Sequence, residues 1–319
     1  MSNQKSQNQS TELPGKKLTV SQIIDYCKNE LGITFNLMDE QKAAEFLAKN
    51  NYFFRLKQYA EIATEKTKKG KYVGIDFGQL VELSTIDMFF RKLMLKMTID
   101  FEHNLKVKLV NECQTNSADD GYLVVREFFN QNPKIKDAFV SGVKSIATFY
   151  NKQAFDKYNG HYSVWSIIEM LPFSSFIEFY QFYYNFFNLK CEYTKHFDSI
   201  RRLRNAAAHN ACLLCSFKSV SNFPSDLETI FELLQANIGL SNGLITNLMK
   251  VPVINDFVVM LSTYTKLITS ERVKKYTFDE LIDFFDNRML LRKGYFDGNS
   301  EVKNAYQFTR RVLEYYSQI

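Results

Sequence analysis

The chain has 319 residues, 45% of them apolar, with 29 Phe and 18 Tyr, which excludes a disordered polar chain and supplies material for a large core. Forty Lys and Arg against 35 Asp and Glu leave a net charge of +5, an excess that permits nucleic-acid binding without requiring it. No apolar run approaches the roughly 20 residues that cross a bilayer, so no membrane association is expected, and five scattered cysteines without a secretory signal fit a reducing cytoplasm.

Only five prolines and twelve glycines punctuate this length, so long helices are expected. Residues 1–16, rich in Ser, Gln and Asn, read as a disordered tail. Thr19 is placed to cap a first helix running to about Leu31, and Asp39 a second. Asn50-Asn51 breaks the chain before a helix with Tyr52, Arg55, Leu56 and Tyr59 on one face. There Arg55 is equally an RNA contact or a structural group held by aromatics. The stretch Lys66 to Lys71 is a basic, Gly-containing turn. From Phe77 to about Glu112 apolar residues recur at three and four, writing one long helix.

Asn116 to Asp120 is a polar linker, and a short aromatic helix follows from Tyr122 to Asn130. Pro133 then opens a segment that carries Ile135, Phe139, Val143, Ile146 and Phe149. A core helix from Val164 to Met170 should stop at Pro172, with Ser174 capping the next, Phe176 to Phe187. The aromatic stripe of that helix reads as core rather than as a base-stacking platform. His196 reads as a surface or capping histidine. Pro224 marks a boundary, Asn242-Gly243 a turn, and Pro252 the start of a helix to Ile268. A helix capped near Thr277 or Asp279 and a last amphipathic helix exposing Arg310 and Arg311 complete the chain. The domains expected are 17–225, an all-α helical bundle with additional helices, and a C-terminal helical extension, 226–319.

The segment of greatest chemical interest is Arg201 to Asn210, RRLRNAAAHN. Its composition favours a helix that includes His209. On such a helix Asn205 and His209 share a face, whereas Arg204 lies about 140° round from His209. Two copies crossing at Ala206 to Ala208 would bring two Arg-Asn-His sets into one cleft. Imidazole, guanidinium and amide are the groups that RNA cleavage needs: one to move a proton, one to neutralise phosphate charge, one to orient either. The ribose 2'-hydroxyl supplies the nucleophile, so this chemistry needs no metal, and no grouping for a metal or organic cofactor stands out.

Arg204-Asn205 followed by three alanines and His209 resembles the R-x4-6-H motif of HEPN domains, an all-helical family that includes many metal-independent endoribonucleases. Asn51 to Tyr59, NYFFRLKQY, is similar to the N-Y-[YF]-R-L-x-x-Y segment of Abi-like abortive-infection proteins of the AbiD/AbiF group. Ser84 to Leu105 resembles their helix with an aspartate and an FR pair ahead of I-E-x-x-L, and His161 to Tyr180 their tryptophan block. The resemblance implies catalytic roles for Arg204, Asn205 and His209, with Arg55, Glu102, Arg201 and Arg202 binding RNA or supporting the site. Glu102 would orient His209 or hold Arg204. It further implies a homodimeric toxin of phage defence acting on RNA, leaving a 2',3'-cyclic phosphate and held in check by a regulatory RNA or an antitoxin. A non-catalytic RNA-binding or protein-interaction module of such a system is the alternative.

Overall fold

The computed structural model describes residues 17–63, 65–143, 157–158, 160–221 and 228–319. The expectations for residues 1–16, Ile146, Phe149 and Pro224 lie outside them. Fourteen α-helices are described: α1 Val20–Asn29, α2 Glu40–Lys49, α3 Phe53–Gln58, α4 Phe77–Thr115, α5 Leu123–Gln131, α6 Pro133–Val143, α7 Val164–Ile167, α8 Phe173–Phe186, α9 Phe197–Ala208, α10 Glu228–Asn237, α11 Asn242–Met249, α12 Pro252–Leu267, α13 Glu271–Asp283 and α14 Ser300–Ser317. Isolated bridges join Thr34 to Asp76 and Lys66 to Tyr72, and there is no β-sheet among the described residues. The fold is the all-α bundle expected, with additional helices and a helical C-terminal extension.

The axis of the molecule is α4, 39 residues and roughly 60 Å long at 1.5 Å per residue. Asp76 starts it: its carboxylate accepts from the Gly78 amide at 2.8 Å, while Gln79 reaches back to the Asp76 amide at 2.7 Å. Phe90, Met94, Met97, Phe101, Leu105 and Leu109 run down its length, all buried. Helices α9 and α12 pack against it, and α14 covers α12. From Ile254 to Tyr264 every residue of α12 is buried, polar Asn255, Asp256, Ser262 and Thr263 among them, so this helix of the extension is an interior element. Helices α5 to α8 form an aromatic cluster in which Phe128 meets Phe179 edge to face at 5.1 Å. The stripe Phe176, Phe179, Tyr180 and Tyr183 is core.

Several boundaries differ from the sequence reading. Helix α7 is one turn, and α8 begins at Phe173 directly after Pro172, which leaves Ser174 inside the helix. Asn242 and Gly243 open α11 instead of forming a turn, because Ser241 caps it. Helix α13 starts at Glu271 behind Ser270, two turns before the expected caps, and Thr277 is buried within it. Tyr52 is 60% exposed, although Arg55, Leu56 and Tyr59 on the same expected face are buried. Arg310 is half-buried and held by Asp286 through two bonds of 2.6 and 2.9 Å.

Candidate functional site at the end of helix α9

Helix α9 is amphipathic, with Phe197, Ile200, Leu203 and Ala207 turned into the core. Arg201, Arg204 and Asn205 lie half-buried at its sides, and Arg202 and His209 are exposed. Ala207 packs inside the subunit, so of the three alanines only Ala206 and Ala208 remain on the outward side.

The helix does not continue through His209, as composition suggested. His209 is its cap residue, and Asn210 turns left-handed at φ 58°. The Asn210 amide then donates to the Ala207 carbonyl at 3.2 Å and the Ala211 amide to Ala206 at 2.8 Å, satisfying carbonyls the helix would leave open. Asparagine tolerates this conformation better than most residues, which is why the helix ends here and not one turn later.

Arg204 stacks over the Phe173 ring at 5.3 Å, and its Nη1 donates to Asn205 Oδ1 at 3.3 Å. The Asn205 carbonyl accepts the His209 amide at 2.9 Å. The Arg204 and Asn205 side chains are thus bonded to each other, whereas His209 is joined to Asn205 by the main-chain helical bond alone, with no bond from its imidazole to either side chain among the described residues. The imidazole itself is exposed at the helix end.

The chain just after His209 is gripped from behind by a buried polar network. Asp87 of α4, fully buried, accepts the Leu213 amide at 3.0 Å and the Leu214 amide at 2.9 Å on Oδ1. Its Oδ2 accepts the Tyr59 hydroxyl at 2.5 Å and forms an ion pair with Arg91, one turn along α4. Burial pushes the Tyr59 hydroxyl above its ordinary range, so it remains a donor. Arg91 Nη1 also donates to the Ala211 carbonyl at 3.3 Å. Arg55 Nη1 donates to the Asn210 carbonyl, while its Nη2 sits 3.8 Å from Asp87, within ion-pair range but without a hydrogen-bond partner.

Two arginines therefore face one carboxylate in the interior, and main-chain carbonyls of residues 210 and 211 take up part of the excess positive charge. Arg55 is a buried positioning group here, 7% exposed. Sequence reasoning assigned no role to Asp87, Arg91 or Tyr59; the available signal was that all three fall within stretches resembling the family, Tyr59 in one helical segment and Asp87 and Arg91 one turn apart in another, segments that have to meet somewhere.

Arg201 pairs with Asp198 at 2.7 Å within α9. Arg202 holds Asp256 of α12 through contacts of 3.2 and 2.8 Å and donates to Ser199 at 3.0 Å. Burial raises the Asp256 carboxyl, and the facing guanidinium opposes that shift. Glu102 pairs with Lys106 at 3.2 Å, and no bond joins it to Arg204 or His209 among the described residues. His196 caps the start of α9, and its Nδ1 lies 2.9 Å from the Thr263 hydroxyl. That hydroxyl donates to the Val259 carbonyl, so the imidazole nitrogen is the donor to it. A cleft of about 380 Å³ lies beside the site, bordered by Arg202, Ala206, Leu213 and Lys218.

No group of three or more His, Cys, Asp or Glu placed to hold a metal occurs among the described residues. No single helix among them is long and apolar enough to cross a membrane. Neither a curated protein nor a solved structure matches the chain. One family model does, that of the Abi-like proteins, over residues 45–214. Those bounds take in α3, all of α4, α9 and the gripped segment up to Leu214, so the Asp87 network is made entirely within the matched region. With more than half its length matched, the chain belongs to the Abi-like protein family.

Proposed function

We propose that the chain is a metal-independent endoribonuclease of the HEPN type, serving bacterial abortive infection as a homodimeric toxin of the AbiD/AbiF kind in the cytoplasm. One observation carries the reading: an exposed His209 stands one turn beyond the bonded Arg204–Asn205 pair, at a helix end whose following backbone is fixed by a buried network. Fixing that backbone in advance lowers the ordering cost of the reactive geometry. The 2'-oxygen of a ribose attacks its own phosphorus, the bond to the 5'-oxygen breaks, and a 2',3'-cyclic phosphate remains. One imidazole takes the 2'-hydroxyl proton and another protonates the leaving oxygen. Each chain supplies a single histidine in this stretch, so the second imidazole comes from a second copy. Arg204 offsets charge on the phosphorane, and Asn205 orients Arg204 through the bond they share. Restraint by an antitoxin or a regulatory RNA belongs to this reading, since uncontrolled cleavage would kill its host.

The test is cleavage of labelled RNA by the purified protein. His209→Ala should cost at least about 10²-fold in rate while preserving folding and dimerisation, as measured by light scattering. Arg204→Ala should lower both turnover and RNA retention, EDTA should change little, and the product should carry a cyclic phosphate terminus. Undiminished cleavage by a folded His209→Ala protein rules the assignment out.

A further inference from the structure

A second cavity lies where the matched region meets the extension. It encloses about 260 Å³ and is walled by Leu83 and Phe90 of α4, Phe257 of α12, and Ala305 of α14. Leu214 and Phe217, from the segment that follows His209, close one side. A five-residue π-helical turn, Phe284–Arg288, follows α13, with the Met289 amide donating to the Phe284 carbonyl at 2.9 Å; Phe285 and Met289 both face the cavity. Such turns widen a helix locally at a cost in geometry, and they recur at binding sites.

Interiors are normally close-packed, and an apolar void of about 150 Å³ already stays dry and takes up small apolar molecules. On the scale of a void of about 150 Å³ that takes up the six carbons of benzene, this one has room for about ten non-hydrogen atoms. Its rim differs from its walls. Lys293, Asp297 and Lys303 are exposed there; the Lys303 ammonium donates to the Asp297 carbonyl at 3.0 Å, and Lys293 has no ion pair among the described residues. Two ammonium groups against one carboxylate leave the mouth positive.

We propose that this cavity binds a small amphipathic anion, an aliphatic chain of about eight carbons ending in a carboxylate, with the chain among the aromatic walls and the carboxylate between Lys293 and Lys303. Apolar walls select the chain, and the uncompensated rim charge selects its sign. The site touches the gripped segment directly. The Leu214 side chain lines the cavity while its amide donates to Asp87, so a bound chain packs against the same residue the network holds.

Octanoate is the probe, with 1-octanol and octylammonium as arms that keep the chain and change the head group. Calorimetry on the full-length protein should give one octanoate per chain and an upward shift of Tm, with octylammonium bound at least about tenfold more weakly. The double variant Lys293→Glu, Lys303→Glu should lose about tenfold for octanoate and leave 1-octanol unchanged. Filling the cavity with Ala305→Phe should abolish binding of octanoate and 1-octanol; Val302→Phe, nearer the rim, serves if the first variant does not fold. Hydrogen exchange at the Leu213 and Leu214 amides should slow with octanoate bound. Absence of saturable octanoate binding, equal affinity for octanoate and octylammonium, or wild-type binding by a folded cavity-filled variant would each overturn the proposal. None of these readouts uses RNA, so they stand apart from any failure of the cleavage reading.

Discussion

Replacing Asp87 by asparagine would leave Arg55 and Arg91 facing each other without the carboxylate between them. Breaking one side of a buried ion network costs about 3–5 kcal/mol, because the remaining charge stays desolvated. Asp87→Asn should lower the urea midpoint accordingly, and a loss under about 1 kcal/mol would show that the network carries little. His196 gives a pH signature at the same scale. Burial, assisted by Lys266, lowers its pKa from the ordinary 6.5 to about 4. Between those values the unfolded chain binds the proton and the folded one does not, so stability falls as pH drops from 6.5 towards 4. His196→Gln should flatten that part of the stability profile, measured by denaturation at closely spaced pH. Of these residues, only some could be read in advance. Arg204, Asn205 and His209 sit within six positions of one another, and local spacing displays them. Asp87 meets Arg55 and Leu213 across long stretches of chain, and no periodicity records such a meeting.

Caps explain most of what was and was not legible about the helices. Thr19, Asp39 and the run beginning at Phe77 combine a short polar cap with an apolar repeat, and all three mark true starts. Ser270 and Ser241 do the same job, but Lys274-Lys275 and Asn242-Gly243 behind them resemble loop sequence. In both cases packing of the later apolar residues overrides weak local preference. The end of α9 offers a direct test of backbone control. Asn210→Gly should leave stability unchanged or raised by a few tenths of a kcal/mol, since glycine favours the left-handed position. Asn210→Val should cost about 1–2 kcal/mol, because a β-branched residue is strained at that φ. Thermal unfolding distinguishes the two, and equal Tm values would mean that the segment relaxes out of the left-handed turn.

At the scale of the molecule, the extension is part of the interior. Helix α12 lies against α4 and α9, buried along its middle, and Arg202 reaches it through Asp256. A chain ending at residue 221 would expose the apolar faces of α4 and α9 that α12 covers. It should lose near-ultraviolet circular dichroism and resistance to protease, whereas a folded truncation would show that the first 221 residues form a self-sufficient unit. That dependence was invisible in sequence, where amphipathic helices after a proline read equally well as an appendage. The grip on residues 210–214 has a different sort of consequence. Asp87, Arg55 and Arg91 take hold of the Asn210 and Ala211 carbonyls and the Leu213 and Leu214 amides, all atoms that every non-proline residue presents. The anchorage reads main-chain atoms, so positions 211 and 212 can drift through mutation while His209 stays where it is, whereas position 210 keeps a residue that tolerates the left-handed turn. Proline at 213 or 214 is the exception, as it deletes the donor itself. Diversification beside the histidine is thereby uncoupled from its placement, which leaves the chain free to acquire new surface contacts there without refolding the helix end.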